Sequence, residues 1–523
     1  MRALFLTVAL FAAAADAARG DGSCPRGSFL RIVPLPPGAL PAPVEAALAA
    51  ANASLFSALD PVLQPGFVAS VFYAGQEVRS WGGGVADKAS GRAPQPASDL
   101  FRIASNSKVF VALLAEVFAE LGLIASLDDA VQDYAPAFVG PVNTFGDGAR
   151  ITFRMLMSHT ASLPDSLLGG ADWSGNMTTD GVFAALAALP LTVPLGSIPS
   201  YSNLGIALLG HVLAEFVAPE EERGDIAALL DKYVLAPLGL TPNTGYNLTD
   251  YAVANLIPAY DPGTGARVPL ETLGWAAPCG TMWSSIPNLA RFHQATASVA
   301  AGLPPPGGFS LSAARARSWL QPISLTADNS IVLGAPWEAY VLNSTAGGFI
   351  VRTKSGTLNG YSTKSGLVAE LQLSFAFSYN GNFRDWYVGN SVLETVASEL
   401  AGGFAAAVEA LQPPRDAGPS PSDYTGHYVQ AANTANVADV MVDGTGQLVM
   451  VSEVALGLPA VLEAVGAALP DAFRAFQDTT TNTCEHVLMD DTLFAQPVVF
   501  ARGADGKVAS FAIPNWSGQW LKQ

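Results

Sequence analysis

The 523-residue sequence has few cysteines, few histidines and few basic residues, and each shortage excludes a class of protein. Three cysteines, Cys24, Cys279 and Cys484, are too few for a disulfide-built scaffold or a multi-cysteine zinc module. Lys and Arg total 26 against 44 Asp and Glu, and the net charge of −18 has the wrong sign for nucleic-acid binding. The five histidines form no H-E-x-x-H motif, and the chain has no G-x-S-x-G elbow and no phosphate-cradling loop. We therefore expect no nucleic-acid partner, no metal and no cofactor.

Long apolar runs are also scarce. No segment contains the about 18 uninterrupted apolar residues that a membrane-spanning helix needs. The N-terminus carries a short run, Ala3–Ala15, after the positive Met1-Arg2 and before an A-x-A site at Ala15-Asp16-Ala17. This order is typical of an export signal, and a buried core helix is the alternative. We predict a signal peptide at 1–17, a secreted protein and no membrane span.

Five N-x-[ST] sequons agree with export. They lie at Asn52, Asn176, Asn247, Asn343 and Asn515 and are predicted glycosylation sites of a eukaryotic glycoprotein. The alternatives are a host that does not glycosylate, or sequons that are buried. In an oxidising compartment, three cysteines allow one disulfide and one free thiol, and the pairing stays open among the three.

On a prior of about 150 residues per domain, the length suggests two to four domains. Residues 18–410 are predicted to form one large α/β body. The apolar stretch Phe67–Tyr73 predicts a strand, the segment Val109–Ile124 predicts a buried helix, and the alternation of apolar residues over 371–379 predicts a half-buried strand. A helix is expected over Leu393–Leu411, beside this sheet.

The composition changes after residue 410. Residues 411–422 are rich in proline and have the composition of a linker. Beyond them, Asp439–Val451 and Val498–Ile513 each show two apolar runs around a Gly-containing turn, the pattern of a β-hairpin. Residues 423–523 are therefore predicted to form a small β-rich domain.

The strongest chemical signal is Ser105-Asn106-Ser107-Lys108. Residues i and i+3 of a helix share a face, so the Lys108 amine can reach the Ser105 hydroxyl. A lysine in a desolvated pocket can lose its proton and act as the base that activates a serine nucleophile. The N–H groups at the helix start, that of Ser105 included, lie where an oxyanion would form. Alone, the tetrapeptide is more often a serine cap followed by a solvated lysine.

Two further motifs support this chemistry. In Tyr201-Ser202-Asn203, the Tyr201 hydroxyl can relay a proton, and the Asn203 carboxamide can bind a substrate carbonyl, although an ordinary Asn cap with a core tyrosine is the alternative. In Lys354-Ser355-Gly356, the lysine can orient an anionic substrate, the small Ser355 and Gly356 allow close approach, and the Thr357 N–H can complete an oxyanion hole. Lys354 and Ser355 are thus predicted to bind substrate, together with Asn203.

These motifs resemble those of the serine β-lactamase and penicillin-binding-protein superfamily. Phe101–Lys108 resembles its active-site serine segment, and the Y-S-N motif resembles the class C branch with its esterase and D-amino-acid peptidase relatives. Lys354–Tyr361 is similar to the third motif, which usually continues to a Gly-aromatic pair such as Gly360-Tyr361. Further matching segments are Ile151–Thr160, Leu163-Pro164 and Gly280–Phe292. Three motifs in family order, over roughly residues 50–400, are far more specific than any one of them.

A second K-S-G copy, Lys364-Ser365-Gly366, lacks that continuation. We therefore choose Lys354 as the site lysine and expect its ammonium within a few ångströms of the Ser105 and Tyr201 side chains. Because a turn separates the two copies, both lysines should not face one pocket, and Lys364 is expected to be solvent-facing and dispensable.

The resemblance implies an α/β (α+β) chain with the β-lactamase/transpeptidase-like fold, in which helices flank an antiparallel sheet and a second lobe is all-helical. The predicted C-terminal β-rich domain resembles the appended domain of secreted eukaryotic β-lactamase-like proteins. Two departures stand out. His159-Thr160-Ala161-Ser162-Leu163-Pro164 replaces the common H-T-S-G-L-P, and Lys354 stands where many esterase-like members carry His.

These features predict a secreted serine hydrolase that forms an acyl-enzyme on Ser105, with Lys108 and Tyr201 as proton-handling partners. The substrate is expected to be a small-molecule or peptide-like ester, amide or lactam. A non-catalytic binding protein on the same fold is the alternative. His159 is interpreted as a hydrogen-bonded loop histidine, and Trp283 and Tyr361 as either cleft or core residues.

Overall fold

The structure is a computed structural model that describes residues 32–173, 177–261, 263–325, 332–344, 347–383, 386–411, 420–444, 446, 448–452, 459–464, 471–477, 496–513 and 518–523. The chain divides into two compact units, one of residues 34–342 and 349–407 and the other chiefly of residues 408–523. The predicted signal peptide lies outside the described residues, as does most of the Pro-rich segment. The boundaries drawn from the sequence at 17, 410 and 422 stay predictions.

The first unit is built on an eight-stranded sheet and a three-stranded sheet. Its strands in chain order are β1 (Gly66–Tyr73), β2 (Gln76–Gly84), β3 (Leu100–Arg102), β4 (Thr244–Gly245), β5 (Trp283–Ser285), β6 (Ser324–Leu325), β7 (Val332–Leu333), β8 (Glu338–Ser344), β9 (Gly347–Leu358), β10 (Tyr361–Val368) and β11 (Leu373–Tyr379). The large sheet has the order β2-β1-β11-β10-β9-β8-β7-β6, and the small sheet has the order β3-β5-β4. The neighbours whose register is described, such as β9 and β10, run antiparallel.

The helices of this unit are α1 (Ala42–Ser57), α2 (Ser107–Glu120), α3 (Val131–Tyr134), α4 (Phe153–Met157), α5 (Thr179–Ala187), α6 (Asn203–Val212), α7 (Ile226–Leu230), α8 (Asp250–Asn255), α9 (Ile286–Ala300), α10 (Ala313–Trp319) and α11 (Trp386–Ala410). Helices cover both faces of the large sheet. On one face, the Ser374 hydroxyl of β11 donates to the Ala290 carbonyl of α9. On the other face, the Tyr379 hydroxyl donates to the Leu55 carbonyl of α1, and Tyr73 packs against Phe404 of α11.

Helix α2 is the central element of the helical lobe. Every residue from Ser107 to Ala119 is buried, as the nearly uninterrupted apolar sequence predicts. The helix ends earlier than the predicted Ile124, because Gly122 takes a positive φ of 75° and the Leu123 N–H closes on the Phe118 carbonyl at 2.9 Å. This burial fixes the start of α2, where the first motif lies.

Strand β11 confirms the predicted strand over 371–379 but not its half-buried character. All seven of its residues are buried. The alternation separates two covered faces rather than a core face and a solvent face, because α9 packs on one side while α1 and α11 pack on the other. Helix α11 confirms the helix expected beside this sheet. Its stretch Tyr387–Ala410 is long and apolar enough to cross a membrane, a signature that core helices share, and half of the stretch is buried.

The second unit contains a short helix, α12 (Pro421–Tyr424), and a closed barrel. The barrel strands are β12 (Gly426–Gln430), β13 (Asn433–Val442), β14 (Leu448–Ser452), β15 (Pro459–Ala464), β16 (Ala472–Gln477), β17 (Gln496–Arg502), β18 (Val508–Ala512) and β19 (Trp520–Lys522), in that order around the barrel. Both predicted hairpins are present, as β13–β14 and β17–β18. The core is aromatic, with Tyr428, Phe500, Phe511 and Trp520 buried together.

Candidate active site

Ser105 lies in a 3₁₀ turn, Ala104–Asn106, that leads directly into α2. Ala104 has a φ of 49°, in the left-handed region that a non-glycine residue adopts only when its surroundings hold it there. Here the Ser107 hydroxyl donates to the Ala104 carbonyl at 2.7 Å, and the Ile103 N–H donates to the Met282 carbonyl at 3.0 Å. Ser105 remains half-buried among buried neighbours. The turn therefore holds the serine at the surface of an otherwise closed core.

Lys108 lies one helical turn after Ser105 and is fully buried. Its Nζ is 3.0 Å from Ser105 Oγ, 2.7 Å from Asn203 Oδ1 and 2.8 Å from the Cys279 carbonyl oxygen. These three partners match the three hydrogens of an ammonium. Burial lowers the pKa of Lys108 below its ordinary 10.5, while Cys279, Glu338 and Asp165 act in the opposite direction. The short distance to Ser105 and the lowered pKa would allow the Lys108 amine to exchange a proton with the serine hydroxyl.

Tyr201, on the segment before α6, also reaches the serine. Its hydroxyl donates to Ser105 Oγ at 2.9 Å. The Lys108 and Lys354 Nζ atoms lie 5.0 Å and 5.1 Å from the centre of the tyrosine ring. Although 41 % of the Tyr201 surface is exposed, desolvation around the ring raises its pKa to about 12, against the opposing effect of Lys354. At neutral pH the hydroxyl therefore carries its proton.

The loop that carries Tyr201 is fixed by hydrogen bonds. Ser202 caps α6, since its Oγ accepts the Gly205 N–H at 2.8 Å and donates to the Pro164 carbonyl at 2.6 Å. The Ser202 N–H donates to Nδ1 of His159 at 3.2 Å, and the His159 ring packs at a tilt against the Tyr201 ring, with 4.6 Å between the ring centres. Burial, followed by the charges of Lys354 and Lys108, lowers the pKa of His159 well below 6.5. His159 is a neutral, hydrogen-bonded loop histidine, as expected, and it positions the tyrosine.

The third motif lies inside β9, and Gly356 brings it against Ser105. A Cβ on Gly356 would meet the Ile103 carbonyl oxygen at 2.4 Å, Asn106 Nδ2 at 2.8 Å and the Ser105 nitrogen at 3.0 Å. Only glycine allows the strand to approach so closely. Thr357 follows at an exposed position, and its N–H stays the predicted second oxyanion donor.

The two K-S-G copies face opposite sides of the sheet. In the register of β9 with β10, Lys354 pairs with Ser365 and Lys364 pairs with Ser355. The Ser365 hydroxyl donates to Asn106 Oδ1 at 2.6 Å, which places Ser365 and Lys354 on the face of the nucleophile. The prediction that both lysines would not share a pocket is confirmed.

The predicted solvent exposure of Lys364 is wrong. The residue is 1 % exposed, and its Nζ donates to Asn390 Oδ1 of α11 at 2.9 Å, because α11 covers this face of β10. Ser355, a predicted substrate-binding residue, also turns to this face, where its Oγ donates to the same Asn390 oxygen at 3.0 Å. Successive side chains of a strand point to opposite faces of the sheet. Because Lys354 faces the cleft, the Ser355 side chain points away from it. The structure thus brings together Ser105, Lys108, Tyr201, Asn203 and Lys354 but not the Ser355 side chain.

Replacing Lys364 with methionine is expected to stabilise the protein at neutral pH. Burial lowers the pKa of Lys364 to about 8, so below that pH the folded chain carries a poorly solvated ammonium. The unfolded chain still binds this proton up to about pH 10.4, so wild-type stability rises between pH 8 and 10.4. The advantage in Tm of Lys364→Met should therefore shrink over this window in thermal melts. Activity should stay within about threefold, and a loss as large as that in Lys354→Met would contradict the assignment of the two faces.

The sequence did not reveal three groups at the site. Glu338, the first residue of β8, forms an ion pair with Lys354, and its Oε2 accepts the Ser355 N–H at 3.1 Å. Asp165 Oδ1 accepts from Asn203 Nδ2 at 2.8 Å, and the Cys279 carbonyl binds Lys108. Asp165 could have been found, since it directly follows the matched Leu163-Pro164. Glu338 has no motif around it, and a main-chain carbonyl carries no residue signal.

The remaining candidates lie elsewhere. Tyr361 and Trp283 are buried and belong to the core. Asn52 is half-buried in α1, Asn247 is exposed and Asn343 is in β8, whereas Asn176 and Asn515 lie outside the described residues. Cys279 is buried with a free thiol, and Cys24 and Cys484 also lie outside the described residues. Within the described part of the chain, no three His, Cys, Asp or Glu side chains are grouped so that they could hold a metal ion.

Comparison with known proteins identifies the class to which this fold and site belong. A family model described as Beta-lactamase matches residues 56–389, more than half of the sequence. The chain therefore belongs to the β-lactamase family. Beta-lactamase-like protein 2 of Dictyostelium discoideum is 30 % identical over 323 residues, which are 60 % of this chain and 55 % of that protein. The chain thus spans about half the length of the curated relatives it matches.

Two solved structures show the fold. A class C β-lactamase from Rhodobacter sphaeroides superposes with a TM-score of 0.55 at 20 % identity, covering 67 % of this chain and 98 % of that one. The crystal structure of SurE gives a TM-score of 0.54 at 20 % identity and covers 92 % of this chain and 99 % of that one. The predicted family and the β-lactamase/transpeptidase-like fold are confirmed.

Proposed function

We propose that this protein is a secreted serine hydrolase that forms an acyl-enzyme on Ser105 with an ester, amide or lactam substrate. The observation that carries the proposal is the position of Ser105 Oγ, which is 3.0 Å from Lys108 Nζ and 2.9 Å from the Tyr201 hydroxyl. A serine needs a base to attack and an acid to release the leaving group, and one candidate for each lies within hydrogen-bond distance. Secretion is proposed from the N-terminal sequence 1–17.

In the proposed acylation, Ser105 Oγ loses its proton to neutral Lys108 and attacks the substrate carbonyl carbon. The negative charge that develops on the carbonyl oxygen is stabilised by the N–H groups of Ser105 and Thr357. The bond to the leaving group then breaks, and the leaving group takes a proton from the Tyr201 hydroxyl, which regains one from Lys108. Water subsequently hydrolyses the acyl-serine ester and regenerates Ser105. Asn203 holds Lys108 in place from the far side.

The pKa directions support this division of roles. Burial lowers the pKa of Lys108, which favours a neutral amine that can accept a proton. Desolvation raises the pKa of Tyr201 to about 12, which keeps the phenol protonated and able to donate. Two groups with environments that push their pKa values apart are typical of an acid–base pair.

A fluorophosphonate probe that labels activated serines tests the proposal. The wild-type protein is expected to be labelled, and Ser105→Ala is expected to lose the label completely. Ser374→Ala is the control, since Ser374 is a buried serine of β11 that has no part in the proposed site and whose hydroxyl donates to the Ala290 carbonyl. If the folded wild-type protein is not labelled, or if Ser105→Ala retains the label, the proposal is wrong and the binding-protein alternative is favoured.

A further inference from the structure

In the candidate active site, the charge of Lys354, the residue predicted to orient an anionic substrate, is balanced by a carboxylate of the protein itself. Lys354 is 1 % exposed, and its Nζ forms an ion pair with Oε1 of Glu338, whose side chain is 16 % exposed. The second carboxylate oxygen accepts the Ser355 N–H at 3.1 Å. Both oxygens of Glu338 are therefore bonded to the third motif, and an anionic substrate group that reaches Lys354 meets this carboxylate.

The other lysine of the site, Lys108, also has its hydrogen-bond partners within the protein. The Nζ of Lys108 already has three oxygen partners, on Ser105, Asn203 and Cys279. A second carboxylate, that of the exposed Asp165, lies behind Asn203 at 2.8 Å. Both site lysines thus have carboxylates nearby, and each already donates to oxygen atoms of the protein, Lys354 to Glu338 and Lys108 to its three partners.

The ion pair lies beside Tyr201, the residue that is proposed to protonate the leaving group. Lys354 Nζ is 5.1 Å from the centre of the Tyr201 ring, and the Tyr201 hydroxyl is the group that would protonate the leaving group. A leaving group that extends past Tyr201 toward Lys354 therefore meets the charge of Glu338.

We propose that Glu338 makes the Ser105 site selective for substrates with an uncharged or cationic leaving group and against leaving groups that carry a free carboxylate. A carboxylate there would have to displace Glu338 from Lys354 or stand beside it uncompensated, and specificity of this kind is built from repulsion as well as attraction. The inference rests on the proposed function, because it presupposes acyl transfer to Ser105.

Three benzoyl thioesters test the proposal. Their leaving groups are mercaptoacetate, its methyl ester and 2-(dimethylamino)ethanethiol, which are anionic, neutral and cationic at pH 7. Each hydrolysis consumes one water and releases benzoate and one thiol, which is followed with a chromogenic disulfide. The wild-type protein should hydrolyse the neutral and cationic thioesters with kcat/KM at least about tenfold above that of the anionic one. This comparison needs no variant.

Glu338→Gln should raise kcat/KM for the anionic thioester by about tenfold and leave the neutral thioester within about threefold, while Glu338→Asp should keep the wild-type preference. Glu271→Gln is the matched control, since it changes the net charge equally but Glu271 accepts a hydrogen bond from Asn359 instead. A wild-type preference for the anionic thioester, or an equal effect of Glu338→Gln on all three, would overturn the inference alone. Hydrolysis of none of them, together with no probe label on Ser105, would overturn the proposed function and the inference with it.

Discussion

Replacing Lys108 with alanine is expected to slow acylation of Ser105 by about 10²–10⁴-fold, the usual contribution of a positioned general base. Lys108 Nζ is 3.0 Å from Ser105 Oγ, and the variant leaves no other amine at that distance among the described residues. The measurement is the rate of serine-probe labelling, with circular dichroism to show that the variant is folded. Unchanged labelling in a folded Lys108→Ala protein would remove Lys108 from the mechanism.

The pH profile provides the control for that result. Only the neutral amine accepts a proton, so wild-type acylation should rise with pH through the pKa of Lys108, which burial places below 10.5. The variant should lose this rising limb. Tyr201→Phe should keep it while lowering the rate at every pH, because the raised pKa of Tyr201 keeps the phenol protonated throughout the range. The two proton-handling groups are then separated by the shape of the profile and not only by its height.

Gly356→Ala is expected to lower activity by about 10²-fold and to destabilise the fold by about 1–3 kcal/mol. The new methyl group would lie 2.4 Å from the Ile103 carbonyl oxygen and 3.0 Å from the Ser105 nitrogen, and neither backbone atom can move independently. The strand that carries Lys354 and Thr357 must therefore retreat from the nucleophile. Chemical denaturation measures the loss of stability, and kcat/KM measures the loss of activity.

Gly402→Ala is the matched control for this substitution. Gly402 is an interior residue of α11, and a Cβ there would meet nothing within 4 Å. The same chemical change should therefore leave activity unaltered and stabilise the helix by about 0.5–1 kcal/mol. If Gly356→Ala behaves like Gly402→Ala, the close approach of β9 to Ser105 has no role in the site.

The sequence was sufficient for the parts of the fold that rest on local patterns. An apolar run interrupted only by Glu116 and Glu120 predicted the buried α2, and Gly-containing turns between apolar runs predicted the two barrel hairpins. The closure of eight strands into a barrel was not predictable, because it depends on pairing between β12 and β19, which lie about 90 residues apart in the chain. The burial of β11 on both faces was not predictable either, because it depends on packing against elements such as α1 and α9 that are distant in the chain.

The candidate site also has contacts that follow from the local sequence and contacts that do not. Ser105 and Lys108 share one helical turn, so their proximity follows from the sequence alone. The side to which each K-S-G copy turns depends on the register of β9 with β10, and a shift of one residue would exchange Lys354 for Ser355 at the cleft. Glu338 comes from the neighbouring strand and has no sequence signature, so its pairing with Lys354 required three-dimensional information.

Asn106 joins the start of α2 to the sheet, since it accepts from Ser365 and donates to the Thr363 carbonyl, both on β10. His293 reaches the same Ser365 hydroxyl at 2.8 Å from α9. Ser105 consequently stands on backbone that cannot open locally without separating a buried helix from the central strands. The amide hydrogens in the buried middle of α2 should exchange with solvent only when the whole unit unfolds, and heat inactivation should coincide with loss of the fold instead of preceding it.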